Sequence, residues 1–272
     1  MSLTAITSLR RNLTQWAERP ANQQFLQRDQ EAQLLASLDS AQRRTQVHTA
    51  AWMLGTWHLG HGMWRVMEGD GSGFDSARQG QALRRCSLLL RDRHQPAAGR
   101  GLPFSLLQGT LTSLLGLALH DPAAEPLFDR MRSLPESAFG NDDHLALFVR
   151  ELLTLRAGER PTVTNRLGPY QEVLSHWTSE PRVFAQRLAD MLELHLQRAL
   201  AGKAPFDDPA ARLYPFEVLA VRHVRDWLGL PTPKVEHALM FTNLVTMIPA
   251  PKWPETPLAD RILRLLRAER RR

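Results

Sequence analysis

Apolar residues recur along this chain with a helical period, and that spacing limits its fold more than any other feature. In "LYPFEVLAVRHVRDWLGLPTPKVEHALM", residues 213–240, Phe216, Leu219, Ala220, His223, Val224 and Trp227 fall at i, i+3, i+4, i+7, i+8 and i+11. Those positions share one face of a helix, so Trp227 is expected to anchor a buried stripe. Pro215 suits a first helical turn, and Gly229 followed by Pro231 ends the helix. No run alternates apolar and polar residues, and no Asn-Gly or Asp-Gly turn joins two strand-like runs. The chain is expected to be mainly α, an irregular bundle of about ten helices with no significant sheet.

Gly and Pro punctuation places the helices at 3–19, 29–67, 75–94, 103–119, 124–131, 142–157, 169–177, 180–200, 215–228, 234–247 and 258–270. The second is too long for an ordinary globular helix and is expected to break at Asp39–Ser40. With 272 residues the chain can bury a substantial core, read here as one helical domain over 1–272. A possible subdivision lies at 157–169, in "RAGERPTVTNRLGP", and "PAPKWPETP" sets off a basic C-terminal helix at 258–270.

The longest uncharged run, residues 101–120, approaches the length of a membrane span. It contains Gln108, Thr110, Thr112 and several glycines, which makes it a buried core helix instead. The N-terminus has arginines but no continuous apolar stretch, so it does not read as a signal peptide. The single cysteine, Cys86, excludes an internal disulfide framework and fits a reducing, cytoplasmic location.

The formal charge of +6 invites a nucleic-acid reading, but its distribution argues against one. Residues 261–272 hold six arginines and one glutamate and so carry +5 of that total, leaving a nearly neutral body.

Several residue groups resemble chemical sites and have simpler structural readings. Glu217 falls in a first helical turn, where a carboxylate meets the helix dipole, and His223 falls on the apolar stripe. Arg222 and Asp226 have the spacing of an exposed i,i+4 pair. His58 and His61 have a spacing metal ligands use, but no HExxH or comparable third ligand accompanies them. The neighbouring Gly55, Gly60 and Gly62 would let another helix approach closely, with Trp52, Trp57 and Trp64 filling the space around them. His195 lies on a second apolar stripe with Phe184, Leu188, Met191 and Leu192, which reads as a hydrogen-bonded core histidine. Asp190 is five residues away and does not face it. "GDGSGFD" lacks the ligand spacing of a calcium loop, and no GxSxG or phosphate-binding glycine motif occurs. No catalytic residue, cofactor or metal is assigned.

The order "EVLSHW", "RLADMLELHLQRAL", "LYPFEVLAVRHVRDWLGL", "VEHALM" over residues 169–240 resembles the all-helical immunity proteins of bacterial polymorphic toxin systems. These are encoded beside Rhs, type VI-secreted or contact-dependent toxins. The resemblance implies a non-catalytic cytoplasmic protein that binds and neutralises a cognate toxin domain. Arginine-bearing surfaces suit a toxin with an acidic cleft, such as an ADP-ribosyltransferase or a hydrolase. The alternative is a helical nucleic-acid-binding or regulatory protein that uses its C-terminal arginines on phosphate. Partner contacts are expected from Asp70 and Asp75 in the glycine loop, from Asp142 and Asp143 in "GNDDH", and from Arg261, Arg264 and Arg267.

Overall fold

In a computed structural model, all regular secondary structure among the described residues (2–40, 44–94, 105–162 and 165–269) is helical. The elements are α1 (Ser2–Ala17), α2 (Pro20–Asn22), α3 (Gln30–Leu38), α4 (Arg44–Met67), α5 (Gly73–His94), α6 (Leu106–Ala118) and α7 (Glu125–Arg132). They continue with α8 (His144–Arg156), α9 (Gln171–Ser175), α10 (Pro181–Leu200), α11 (Phe216–Trp227), α12 (Asn243–Thr246) and α13 (Pro257–Glu269). The expected break at Asp39 is present, because α3 ends at Leu38. Pro103 and Arg270, expected helix limits, lie outside the described residues.

α4 and α5 form an antiparallel pair whose backbones touch. A Cβ built on Gly62 would lie 2.5 Å from the carbonyl oxygen of Gly73, and one on Gly80 would lie 2.5 Å from the nitrogen of Leu59. This is the close approach that the glycines of α4 predict, and α5 answers them with glycines of its own. Trp16 fills the space over Gly60, and Trp57 is buried against Trp16.

After its first turn α6 is buried on every side from Gly109 to Ala118, as its lack of charge requires. No helix among the described residues is long and apolar enough to cross a membrane. Most buried apolar side chains form one continuous cluster, and a smaller second cluster gathers Leu34, Leu54, Cys86, Ala259 and Ile262. α8 packs on α11 and α6 packs on both, so helices on either side of 157–169 share the main cluster.

α11 differs from its sequence reading in which face it buries. Phe216, Ala220 and Val224 are buried as expected, but so are Glu217, Val221 and Arg225. The buried face is rotated toward the charged residues because each of them finds a partner inside. Arg225 donates to the carbonyl oxygens of Pro231 and Trp177 and lies 4.1 Å from the Phe184 ring centroid. Trp227, expected in the core, is 62% exposed at the helix end. The expected Arg222–Asp226 pair does not form, and Asp226 instead accepts from the Thr232 hydroxyl at 3.1 Å.

Two further differences have local causes. Residues 20–28, left between two expected helices, follow α1 as a Pro-started turn and a π-helical run over Gln23–Asp29. Residues 234–237, read as helix, have no regular secondary structure after Pro231 and Pro233, and His237 is extended. The 3-10 turn that follows, Ala238–Phe241, is capped by the His237 ring, which accepts from the nitrogen of Leu239 at 3.2 Å.

Candidate functional site

A cleft of about 750 Å³ opens where α5, the end of α6, α11 and the chain after α12 meet. That volume lies within the usual range for small-molecule sites. Phe74, Leu219, Val245, Met247 and Trp253 make much of its wall, and Arg78, His120, Arg222, His223 and Asp226 line it as well.

Each polar group is held by the fold. His120 follows α6 in a left-handed conformation, φ 60°, and is the only described residue other than glycine with positive φ. At a helix end this position normally favours glycine, so a side chain here costs about 1 kcal/mol. The turn is fixed because Asp121 donates its N–H to the Gly116 carbonyl at 2.8 Å and binds buried Arg85 at 2.8 Å through its carboxylate. The His120 ring therefore projects over α11 and meets the edge of His223 with ring centroids 4.4 Å apart.

Burial disfavours the charged form of both imidazoles. Burial pushes His223 down to about 4, with His120 and Arg156 adding to the effect. Burial also lowers His120, helped by the Arg78 charge. Neither ring makes a hydrogen bond to any described residue, and Arg222 has neither a hydrogen bond nor an ion pair among them.

Arg78 organises the opposite wall. It is 5% exposed, donates from Nη1 to the carbonyl oxygens of Ala250 at 2.5 Å and Lys252 at 3.2 Å, and lies 5.1 Å from the Trp253 ring centroid. The proline-rich strap before α13 is thus tied to α5 by one side chain. The Nε of Arg78 is buried with no hydrogen-bond partner among the described residues.

A shallower hollow of about 400 Å³ lies on the other flank of α11, lined by Glu125, Phe128, Arg132, Arg156 and Trp227. The Arg156 guanidinium sits 4.6 Å from the Trp227 ring centroid and pairs with Glu125. His223, one turn before Trp227, feels the charges of both Arg156 and Glu125. α11 is therefore a ridge between the two openings.

The residues expected to contact a partner, Asp70, Asp75, Asp142, Asp143, Arg261, Arg264 and Arg267, line neither opening and fall in three separate places. Asp70 is tied into its own loop by Arg65 at 2.5 Å and by the Ser72 hydroxyl at 2.6 Å. Those bonds hold its carboxyl below the ordinary carboxylate range. Asp75 opens α5 and lines a hollow with His58 and His61. Burial, and then the neighbouring His61, push His58 down to about 4, and its Nδ1 lies 3.3 Å from the Ser76 hydroxyl. The His61 ring stacks on Trp57 with centroids 4.9 Å apart.

Asp142 is exposed beside Asp143, which accepts from the Gly140 N–H at 2.7 Å. Both line a hollow with Arg198 and Lys203. Arg261 pairs with Asp39 at 2.7 Å, whereas Arg264 and Arg267 are exposed along α13.

Sequence reasoning weighed His223 but did not nominate His120, Arg78 or Trp253. The only signal for His120 was its place before "DP", where a helix must end. Comparison with family models, with curated proteins and with solved structures gave no match to this chain.

Proposed function

We propose that this chain is a non-catalytic cytoplasmic immunity protein that binds and neutralises a cognate antibacterial toxin domain. The helix order over 169–240 supports the class, and one surface feature carries the reading. Trp227 stands 62% exposed on the α11 ridge with Arg156 against its ring. Trp and Arg together are the residues that most often dominate protein–protein interfaces, and an exposed Trp braced by an Arg is already ordered for contact. The mixed charge around it, Glu125 and Arg132 beside Arg156, suits a polar rim.

The test is binding to the toxin encoded beside this gene, measured by calorimetry with Trp227→Ala. Affinity should fall about 30-fold or more, as for an interface hot spot. Because Trp227 is mostly outside the core, the same variant should lose only about 1 kcal/mol of stability or less, chiefly its contact with Arg156. Unchanged toxin affinity would remove α11 from the interface, and a loss of several kcal/mol in stability would return Trp227 to the core.

Arg264 and Arg267 add a kinetic role to this reading. They remain exposed while Arg261 binds Asp39, so they extend a cationic edge beyond a docked helix. They would steer a toxin with an acidic cleft, such as an ADP-ribosyltransferase or a hydrolase. Reversal of both charges should slow association about tenfold at low salt and flatten its salt dependence, with melting unchanged. The nucleic-acid alternative predicts instead that the reversal abolishes a salt-sensitive affinity for DNA or RNA.

A further inference from the structure

The α5–α6–α11 cleft combines an apolar wall with polar groups that have no protein partner. Four such groups converge on it: the Arg222 side chain, the buried Nε–H of Arg78, and the rings of His120 and His223. Only the Arg78 Nε is buried, and an unpaired buried donor costs on the order of 1–3 kcal/mol; Arg222 and His223 are half-buried and His120 is exposed, so these three present free polar atoms at the mouth of the same opening. The backbone strain at His120 falls at this same opening, where strained residues tend to gather when they serve a ligand.

We propose that this cleft binds a carboxylic acid with an apolar body, its carboxylate received by Arg222 and the adjoining imidazoles and its body lying against Met247, Val245 and Trp253. The sign of the ligand follows from the groups that line the cleft. Arg78 and Arg222 bring two positive charges there against one acid, Asp226, whose Oδ1 accepts from Thr232. A neutral imidazole donates from one nitrogen, and an arginine donates from a planar fork that fits a carboxylate with two parallel bonds. The apolar residues on the same wall require more than a bare anion to fill the space. The site stands apart from the toxin reading, since Trp227 faces the other hollow.

The acid can be a free metabolite or a carboxylate carried by a peptide, and the test separates these sources. The probes are 4-phenylbutyrate, its neutral isostere 4-phenylbutanamide, and the capped dipeptide acetyl-Phe-Glu-amide. Binding is read by calorimetry and by the ring C–H signals of His120 and His223. Phenylbutyrate should saturate both histidine signals and bind at least about tenfold tighter than the amide, the usual margin for a charge-assisted hydrogen bond.

Arg222→Gln lies on the half-exposed face of α11 and should fold normally, as its melting curve would show, while losing about tenfold or more in affinity for the acid. Tighter binding of the dipeptide identifies a peptide carboxylate, and tighter binding of phenylbutyrate identifies a free acid; either result supports the site. Equal binding of acid and amide, retained affinity in Arg222→Gln, or no saturation by either acid below about 10 mM overturns it.

Discussion

Gly80→Ala is expected to destabilise the protein by roughly 2–4 kcal/mol, although alanine is the better helix former by about 1 kcal/mol. The reason is the contact between α4 and α5. A methyl group on Gly80 would sit 2.5 Å from the nitrogen of Leu59 and 2.6 Å from the carbonyl oxygen of Gly55. Both are backbone atoms, so no side-chain rotation relieves the overlap and the helices must separate. Gly62→Ala meets the same obstacle at the other end of the pair, with the carbonyl oxygen of Gly73 at 2.5 Å and the nitrogen of Ala77 at 2.6 Å.

Separation would loosen the contacts that both helices make with the main cluster through Leu59, Met63, Phe74 and Ala77. Urea denaturation of the two variants checks this. Gly158→Ala is the control, since its φ of 79° costs strain but nothing lies within 4 Å of the added carbon; a loss of about 1 kcal/mol is expected there. If Gly80→Ala instead gains the propensity term and melts higher, the two helices do not meet at their backbones.

The α4–α5 contact was legible in the sequence because glycine inside a helix has few purposes. Gly55, Gly60 and Gly62 disfavour a helix on their own, so their presence beside three tryptophans implies a close neighbour. The uncharged α6 was legible for a similar reason, since a long run without charge has to be covered.

The rotation of α11 was not legible. Its apolar pattern fits two overlapping faces, and the choice between them rests on Glu217 and Arg225 finding partners far along the chain. Arg84 and Arg85 pose the same difficulty: both are buried, and their acids, Asp208 and Asp121, come from loops that only the tertiary fold brings near. The candidate cleft is harder still to read from sequence. Its polar groups come from α5, the end of α6 and α11, and its wall from the strap after α12, so no local spacing announces it.

Glu217→Ala is expected to cost about 2–3 kcal/mol, the range for leaving a buried hydrogen-bonding group without its partner. The sequence reading of Glu217, a first-turn carboxylate on the helix dipole, allows only about 0.3–1 kcal/mol. The structure separates these readings. Glu217 and His195 have side chains 2% and 1% exposed, and the imidazole Nδ1 lies 2.7 Å from the carboxylate Oε2. The other ring nitrogen faces the Arg212 carbonyl at 3.2 Å. The ring thus lies between two acceptors, the Glu217 carboxylate and the Arg212 carbonyl.

Phe206 and Phe216 meet the ring edge-on with centroids 5.1 and 5.4 Å away, so no water-filled space receives the imidazole once its partner is gone. The pair also joins α10 to α11, and with them the ridge that carries Trp227. Replacing both residues by leucine removes the polar demand at each end and should recover much of the single-variant loss, since apolar substitutes for a buried pair are often close to neutral. The measurement is a double-mutant cycle in urea. A Glu217→Ala cost below about 1 kcal/mol would leave only the dipole role. A double-leucine variant no more stable than Glu217→Ala would mean that the site needs the shape of the imidazole rather than the satisfaction of its nitrogens.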